Sequence, residues 1–260
     1  MFRGDVDRKR AEVFLPGGRD GRTTAVGIKA RADRLIIAGG GTGQVWVYDR
    51  TSGELVARFS NGLGGTPGRT FVNDLDVAPN GDVYVTDSIR PVLYRIPAAA
   101  IARCKPGTVQ RLPIFRDFRG TALEYREGFN ANGIVATPDA RYVLVVQSNA
   151  GSLFRVRLSD RTVTRVRLDE PLPAGDGLDL ADDRTLYAVR NTAERVVEVK
   201  VSPAYRQGRT VSSTTAESFR FPTTAAIAGD RLLLVNSQFD QRGDGGDPVE
   251  PFTVSAIPLP

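Results

Sequence analysis

Three short stretches carry oxygen-bearing side chains at a matching place: Asn73 and Asp74 in "FVNDLDVAPNGDVYVTDS", Asn132 in "NANGIVATPDARYVLVVQS" and Asp176 in "GDGLDLADDRTLYAVRN". In each, the polar residue leads into a short alternating run, a polar turn and a strongly apolar run. Amide and carboxylate oxygens are hard donors that suit Ca2+, Mg2+ or Mn2+, with water completing the shell. A plainer alternative is that these residues cap the turns leading into strands, because Asn and Asp bond readily to nearby backbone. The chain contains no histidine, which excludes a His-based triad and the usual kind of zinc site. Cys104 is the single cysteine, so no internal disulfide can form.

The elements that must position these residues are visible as repeats. "AVGIKARADRLIIAGG" and "TTAAIAGDRLLLVNSQF" follow the same plan as the three stretches above, and the starts lie roughly 45 to 60 residues apart, a spacing expected of propeller blades. Two further strands follow in most repeats, as in "QVWVYDRTSGELVARF" and "GSLFRVRLSDRTVTRVRL". Their period-two alternation of Val, Tyr, Phe and Thr, bounded by Gly, Asp and Ser, is a strand signature. Four antiparallel strands per repeat make a blade. The expected fold is therefore all-β, a β-propeller of four-stranded antiparallel blades forming one domain over residues 1–260. "PAAAIARC" at 97–104 predicts one short helical turn.

In such a fold the innermost strands line a channel, and the residues leading into them gather at one mouth. Those residues are Val26 and Gly27, Asn73 and Asp74, Asn132 and Gly133, Asp176 and Gly177, and Thr224 and Ala225. At the N-terminus, "MFRGDVDRKRAEVFLP" overlays "LFRVRLSDRTVTRVRL" at 153–168, placing Phe2 on Phe154. The chain then starts at the third strand of a blade. These strands either close the last blade, giving five, or belong to a first blade that is N-terminally truncated, giving six. Two outer strands added to the three of the last repeat would overfill a four-stranded blade, so six is the expected number.

The quoted segments around Asn73, Asn132 and Asp176 resemble those of the gluconolactonase, senescence marker protein and luciferin-regenerating enzyme family, and the similarity extends over most of the chain. That resemblance implies a six-bladed, calcium-dependent propeller that hydrolyses a small lactone or ester at the channel. Carried onto this sequence, it makes Asn132 and Asp176 metal ligands, Asn73 a third ligand or a substrate-contacting amide, and Asp176 the base that takes a proton from water. It implies a divalent ion, Ca2+ first, with Zn2+, Mg2+ or Mn2+ as alternatives. The family's remaining ligand is a Glu, and Val26 stands at its place here. The alternative is a non-catalytic propeller that binds a small molecule or partner protein at the channel mouth.

The long aromatic stretch "FRDFRGTALEYREGFNAN" leads into Asn132 and offers Tyr125, Arg126 and Phe129 as a substrate wall, or as packing over a neighbouring blade. Asp87, Gln147, Asn191 and Asn236 fall near strand ends, where local bonding is the simple expectation. "AGGGTGQ" at 38–44 lacks the Gly-Lys-Ser/Thr ending of a phosphate loop and reads as a flexible hairpin. "DQRGDGGDPVEP" at 240–251 misses the EF-hand spacing.

The net charge is +5, but the arginines are scattered rather than gathered, so no nucleic-acid partner is expected. No apolar run of about 18 residues predicts a membrane span. The expected partner is a small-molecule substrate or ligand, and the expected state a monomer. No signal peptide is visible at "MFRGDVDRKR", so location stays open between export, if a segment precedes Met1, and the cytoplasm.

Overall fold

The computed structural model describes residues 1–105, 107–242 and 245–260. The chain forms two compact units, Met1–Asp117 and Phe118–Pro260.

In the first unit, β1 (Phe2–Gly4) and β2 (Ala11–Val13) make a hairpin. A blade follows from β3 (Ile28–Arg31), β4 (Arg34–Ala38), β5 (Gln44–Asp49) and β6 (Leu55–Ser60). The next blade holds β7 (Val72–Val77), β8 (Val83–Asp87) and β9 (Val92–Ile96). After the short helix α1 (Ala98–Ala102), β10 (Gln110–Arg111) adds in parallel to β6, and β11 (Ile114–Asp117) completes the second blade beside β9. The helix falls where "PAAAIARC" predicts it.

In the second unit, β12 (Ala131–Ala136), β13 (Tyr142–Gln147), β14 (Ser152–Arg157) and β15 (Val163–Arg165) form one four-stranded blade. The short β16 (Arg167–Leu168) adds in parallel to the outer edge of the next. That blade holds β17 (Gly175–Leu180), β18 (Thr185–Arg190), β19 (Arg195–Val201) and β20 (Gln207–Thr214). A last sheet has three strands, β21 (Pro222–Ala228), β22 (Arg231–Asn236) and β23 (Val254–Pro258).

In the second, third and fourth blades the second strand is buried on both faces, as in "YVLVVQ" of β13. This is why it reads as a continuous apolar run rather than an alternation. Its two faces enter the layers between neighbouring blades. In the first unit Ile36, Val47, Leu75, Val85 and Tyr94 share one such layer, and in the second Leu144, Val146, Leu178 and Leu186 share another. Each fully buried aliphatic side chain contributes on the order of 1.5–3 kcal/mol.

The sixth blade is not built: five blade sheets occur among the described residues, two in the first unit and three in the second. β1 and β2 pair only with each other. Both are three residues long and fully exposed along their length, so they bring no apolar face to a blade layer. The segment after them folds back instead. The Met1 amine donates to the Leu15 carbonyl at 2.6 Å, and Arg22 donates to the Pro16 carbonyl at 2.9 Å. Leu15 is then fully buried against Ile37, Trp46 and Tyr48, covering the first blade.

Candidate functional site

In the first unit, β3 and β7 run side by side at the start of the first two blades. The Gly27 amide donates to the Asn73 carbonyl at 2.8 Å. A Cβ on Gly27 would lie 2.5 Å from that oxygen, so only glycine permits the approach. Asn73 is buried and donates through Nδ2 to Ser88 Oγ at 2.8 Å. The Asp74 amide donates to Thr86 Oγ1 at 3.2 Å. Val26, at the place the family resemblance reserves for Glu, brings no oxygen.

The second unit repeats the arrangement twice. Gly133 presses against the backbone of Asp176, and a Cβ there would fall even closer to the Asp176 carbonyl oxygen than in the first unit. Gly177 presses against Thr224, where a Cβ would sit 2.6 Å from the Thr224 Cα. The glycines after the polar residues thus have a packing reason: each lets the next blade's inner strand come close. The same contact brings Asn132, on β12, and Asp176, on β17, onto adjacent inner strands. Asn132 is 5% exposed, whereas Asp176 is half-buried. Asn191 holds the Asp176 carboxylate, its Nδ2 donating to Oδ2 at 2.8 Å.

The strand-end residues build loops. Asp87 is fully buried; its Oδ1 accepts from the amides of Phe71, Ile89 and Arg90 at 2.8–3.1 Å, and its Oδ2 from Thr70 Oγ1 and, at 3.2 Å, the Tyr94 hydroxyl. Asn236 accepts from the Arg220 amide at 3.0 Å and donates to the Ser218 carbonyl at 2.9 Å. Each anchors the segment that leads into its own blade. Tyr94 is affected by this burial, with its hydroxyl pushed up to about 12, first by desolvation and then by the neighbouring Asp87 carboxylate.

Gln147 and the buried Asn130 do the same for the aromatic stretch. Asn130 Oδ1 accepts from the Arg126 amide at 2.8 Å and from Gln147 Nε2 at 2.9 Å, while its Nδ2 donates to the carbonyls of Arg126 and Gly128. Tyr125 is half-buried and stacks on Phe118 with ring centroids 6.1 Å apart, whereas Arg126 and Phe129 are exposed. Asn130 did not stand out in the sequence. Its only signal is an amide two residues ahead of the repeated position, which local pattern cannot separate from a turn residue.

The donor chemistry fits a hard cation weakly. Among the described residues no group of three or more His, Cys, Asp or Glu is placed to hold a metal. In the second unit an ion would depend on one carboxylate, Asp176, supported by the Asn132 amide and water.

No protein-family profile matches the chain, and no curated protein matches it at a significant level. Solved structures do. Virginiamycin B lyase from Staphylococcus aureus is 14% identical, with a TM-score of 0.55 over 95% of this chain and 73% of that one. A protein of the nidogen/laminin complex is 14% identical, with a TM-score of 0.62 over 96% and 80%. A Bacteroides uniformis protein whose proposed activity is that of a 6-phosphogluconolactonase is 14% identical, with a TM-score of 0.53 over 80% and 62%. Identities this low speak for the fold alone. With the blade sheets described above, they define the chain as an all-β propeller built of four-stranded antiparallel blades.

Proposed function

We propose that the chain is a metal-dependent hydrolase of the lactonase type, acting on a small lactone or ester. The observation that supports this reading is the pairing of Asn132 and Asp176 on adjacent inner strands, with Asp176 half-buried and steadied by Asn191. Asn132 and Asp176 would hold a divalent ion, Ca2+ first, with water completing its shell. When bound, such an ion supplies carbonyl polarisation and stabilises developing negative charge. Asp176 accepts the proton of the attacking water, and its hydrogen bond from Asn191 fixes the carboxylate plane for that transfer. Arg126 and Phe129, both exposed, together with Tyr125 would form the wall that receives the substrate.

The neighbour with a proposed 6-phosphogluconolactonase activity agrees with this choice of chemistry. The lyase neighbour shows why fold alone cannot select it. A second reading, a propeller that binds without catalysis, is favoured by Val26 standing where the family has its Glu. A panel of γ- and δ-lactones tests the first reading. Wild-type protein with Ca2+ is expected to hydrolyse at least one above background, and Asp176→Asn to lose roughly 100-fold or more, the range of a general base. Hydrolysis of none, or equal rates in the variant, would favour the second.

A further inference from the structure

The first unit carries an open cleft of about 370 Å³ lined by Gly21, Thr23, Thr42, Gln44, Ser60 and the glycines at 62, 64 and 65. It lies between the 39–43 loop, where the sequence suggests only a flexible hairpin, and the 61–65 loop. Gly39 and Gly64, one in each loop, are packed rather than loose. A Cβ on Gly39 would strike Trp46 and Thr42, and one on Gly64 would strike the Thr42 carbonyl. Thr42 Oγ1 donates to the Gly39 carbonyl at 2.7 Å, which closes the first loop on itself.

No acidic residue lines this cleft, and an arginine stands at its edge. The terminal nitrogens of Arg58 approach to 3.7 and 3.8 Å from where a Cβ on Gly21 would lie. Its Nε donates to Gln44 Oε1 at 2.6 Å, and its guanidinium carbon lies 5.9 Å from the centre of the Trp46 ring. Gln44 and Trp46 therefore fix the guanidinium plane. Among the described residues no carboxylate forms an ion pair with Arg58. The nearest acid in sequence to the cleft, Asp20, is 3.6 Å from Arg19 and buries its Oδ2. The amides of Gly64 and Gly65 donate to no protein acceptor among the described residues.

We propose that this cleft binds the oxyanion group of a small molecule, a phosphate or a carboxylate. Arg58 supplies a pre-oriented pair of donors, and Thr23, Ser60 and the Gly64 and Gly65 amides supply the remainder. A planar guanidinium matches both anions through paired N–H donors, and clustered backbone amides add a concave anion-binding surface. This inference stands apart from the hydrolase reading and concerns different residues.

Trp46 is the single tryptophan of the chain, so its emission reports on Arg58. Inorganic phosphate and, separately, acetate would be titrated into the full chain at constant ionic strength. A saturable change with either anion is expected, weakened at least tenfold in Arg58→Gln and partly restored in Arg58→Lys. The anion that binds more tightly identifies the group the cleft prefers. Thr23→Val, at an exposed rim position, gives a second test should Arg58→Gln fold poorly, and a severalfold weakening is expected there. The proposal is overturned if neither anion gives a saturable change, or if the substitutions leave binding unaltered.

Discussion

Substituting Gly133 by Ala places a methyl group against the Asp176 carbonyl oxygen, inside any real van der Waals separation. The obstacle is backbone on a neighbouring inner strand, so no side-chain rotation relieves it. Either β12 or β17 must move, disturbing the buried layer that contains Leu144, Val146 and Leu178. Overpacking of this kind costs about 1–3 kcal/mol and occasionally more, and a backbone obstacle belongs at the upper end, about 3 kcal/mol. The usual gain from replacing Gly by Ala offsets only about 0.4–1 kcal/mol. At about 2–4 °C per kcal/mol for a chain of this size, the net effect is a fall in melting temperature of roughly 4–10 °C. Gly17, which has nothing within 4 Å of a Cβ, is the control; Gly17→Ala should leave the melting temperature unchanged or slightly raised. Differential scanning calorimetry on both variants makes the comparison. A Gly133→Ala protein that melts within about 2 °C of wild type would refute the view that these glycines serve strand approach.

Other outcomes follow from the same contacts. Asp87→Ala removes the acceptor of three amides and two hydroxyls in a fully buried position, and should cost about 3 kcal/mol or more, read by urea unfolding. Asn130→Ala releases the loop it holds and should speed tryptic cleavage at the exposed Arg126 several-fold, while leaving the overall melting temperature less affected. Tyr94 has a folded value raised from 10.0 to about 12, so its contribution is present below about pH 10 and lost as the pH climbs through 12. An alkaline melting series should show that loss shallower in Tyr94→Phe, though not abolished, because Tyr205 is raised to about 12 as well.

Much of this architecture is legible from residue order. The overlay of the N-terminus on 153–168 carries the correct pairing: Phe2 lies opposite Val13 as Phe154 lies opposite Arg165. What the overlay could not convey is whether such a hairpin joins a blade. That depends on apolar faces, and β1 and β2 have none buried. The Asn-Gly and Asp-Gly pairs at 132–133 and 176–177 are visible in the sequence, but the purpose of the glycine is not, since it rests on backbone about 45 residues away in the next blade. Asp87 and Asn236 sit at strand ends as the pattern suggests, and their many partners become visible only when the loops close over them. The glycine-rich 38–44 stretch illustrates the opposite failure, because composition suggested looseness where a second loop packs tightly against it.

The central claim, a divalent ion held at Asp176, is tested most directly by thermal melting in EDTA and then in Ca2+, Mg2+, Mn2+ or Zn2+, for wild type and Asp176→Asn. An ion at about 100 times its dissociation constant adds roughly 2.7 kcal/mol, which corresponds to a rise of roughly 5–10 °C. That rise is expected in the wild type with at least one ion, Ca2+ foremost, and is expected to be absent in Asp176→Asn. No rise with any ion, or an equal rise in the variant, would contradict the claim.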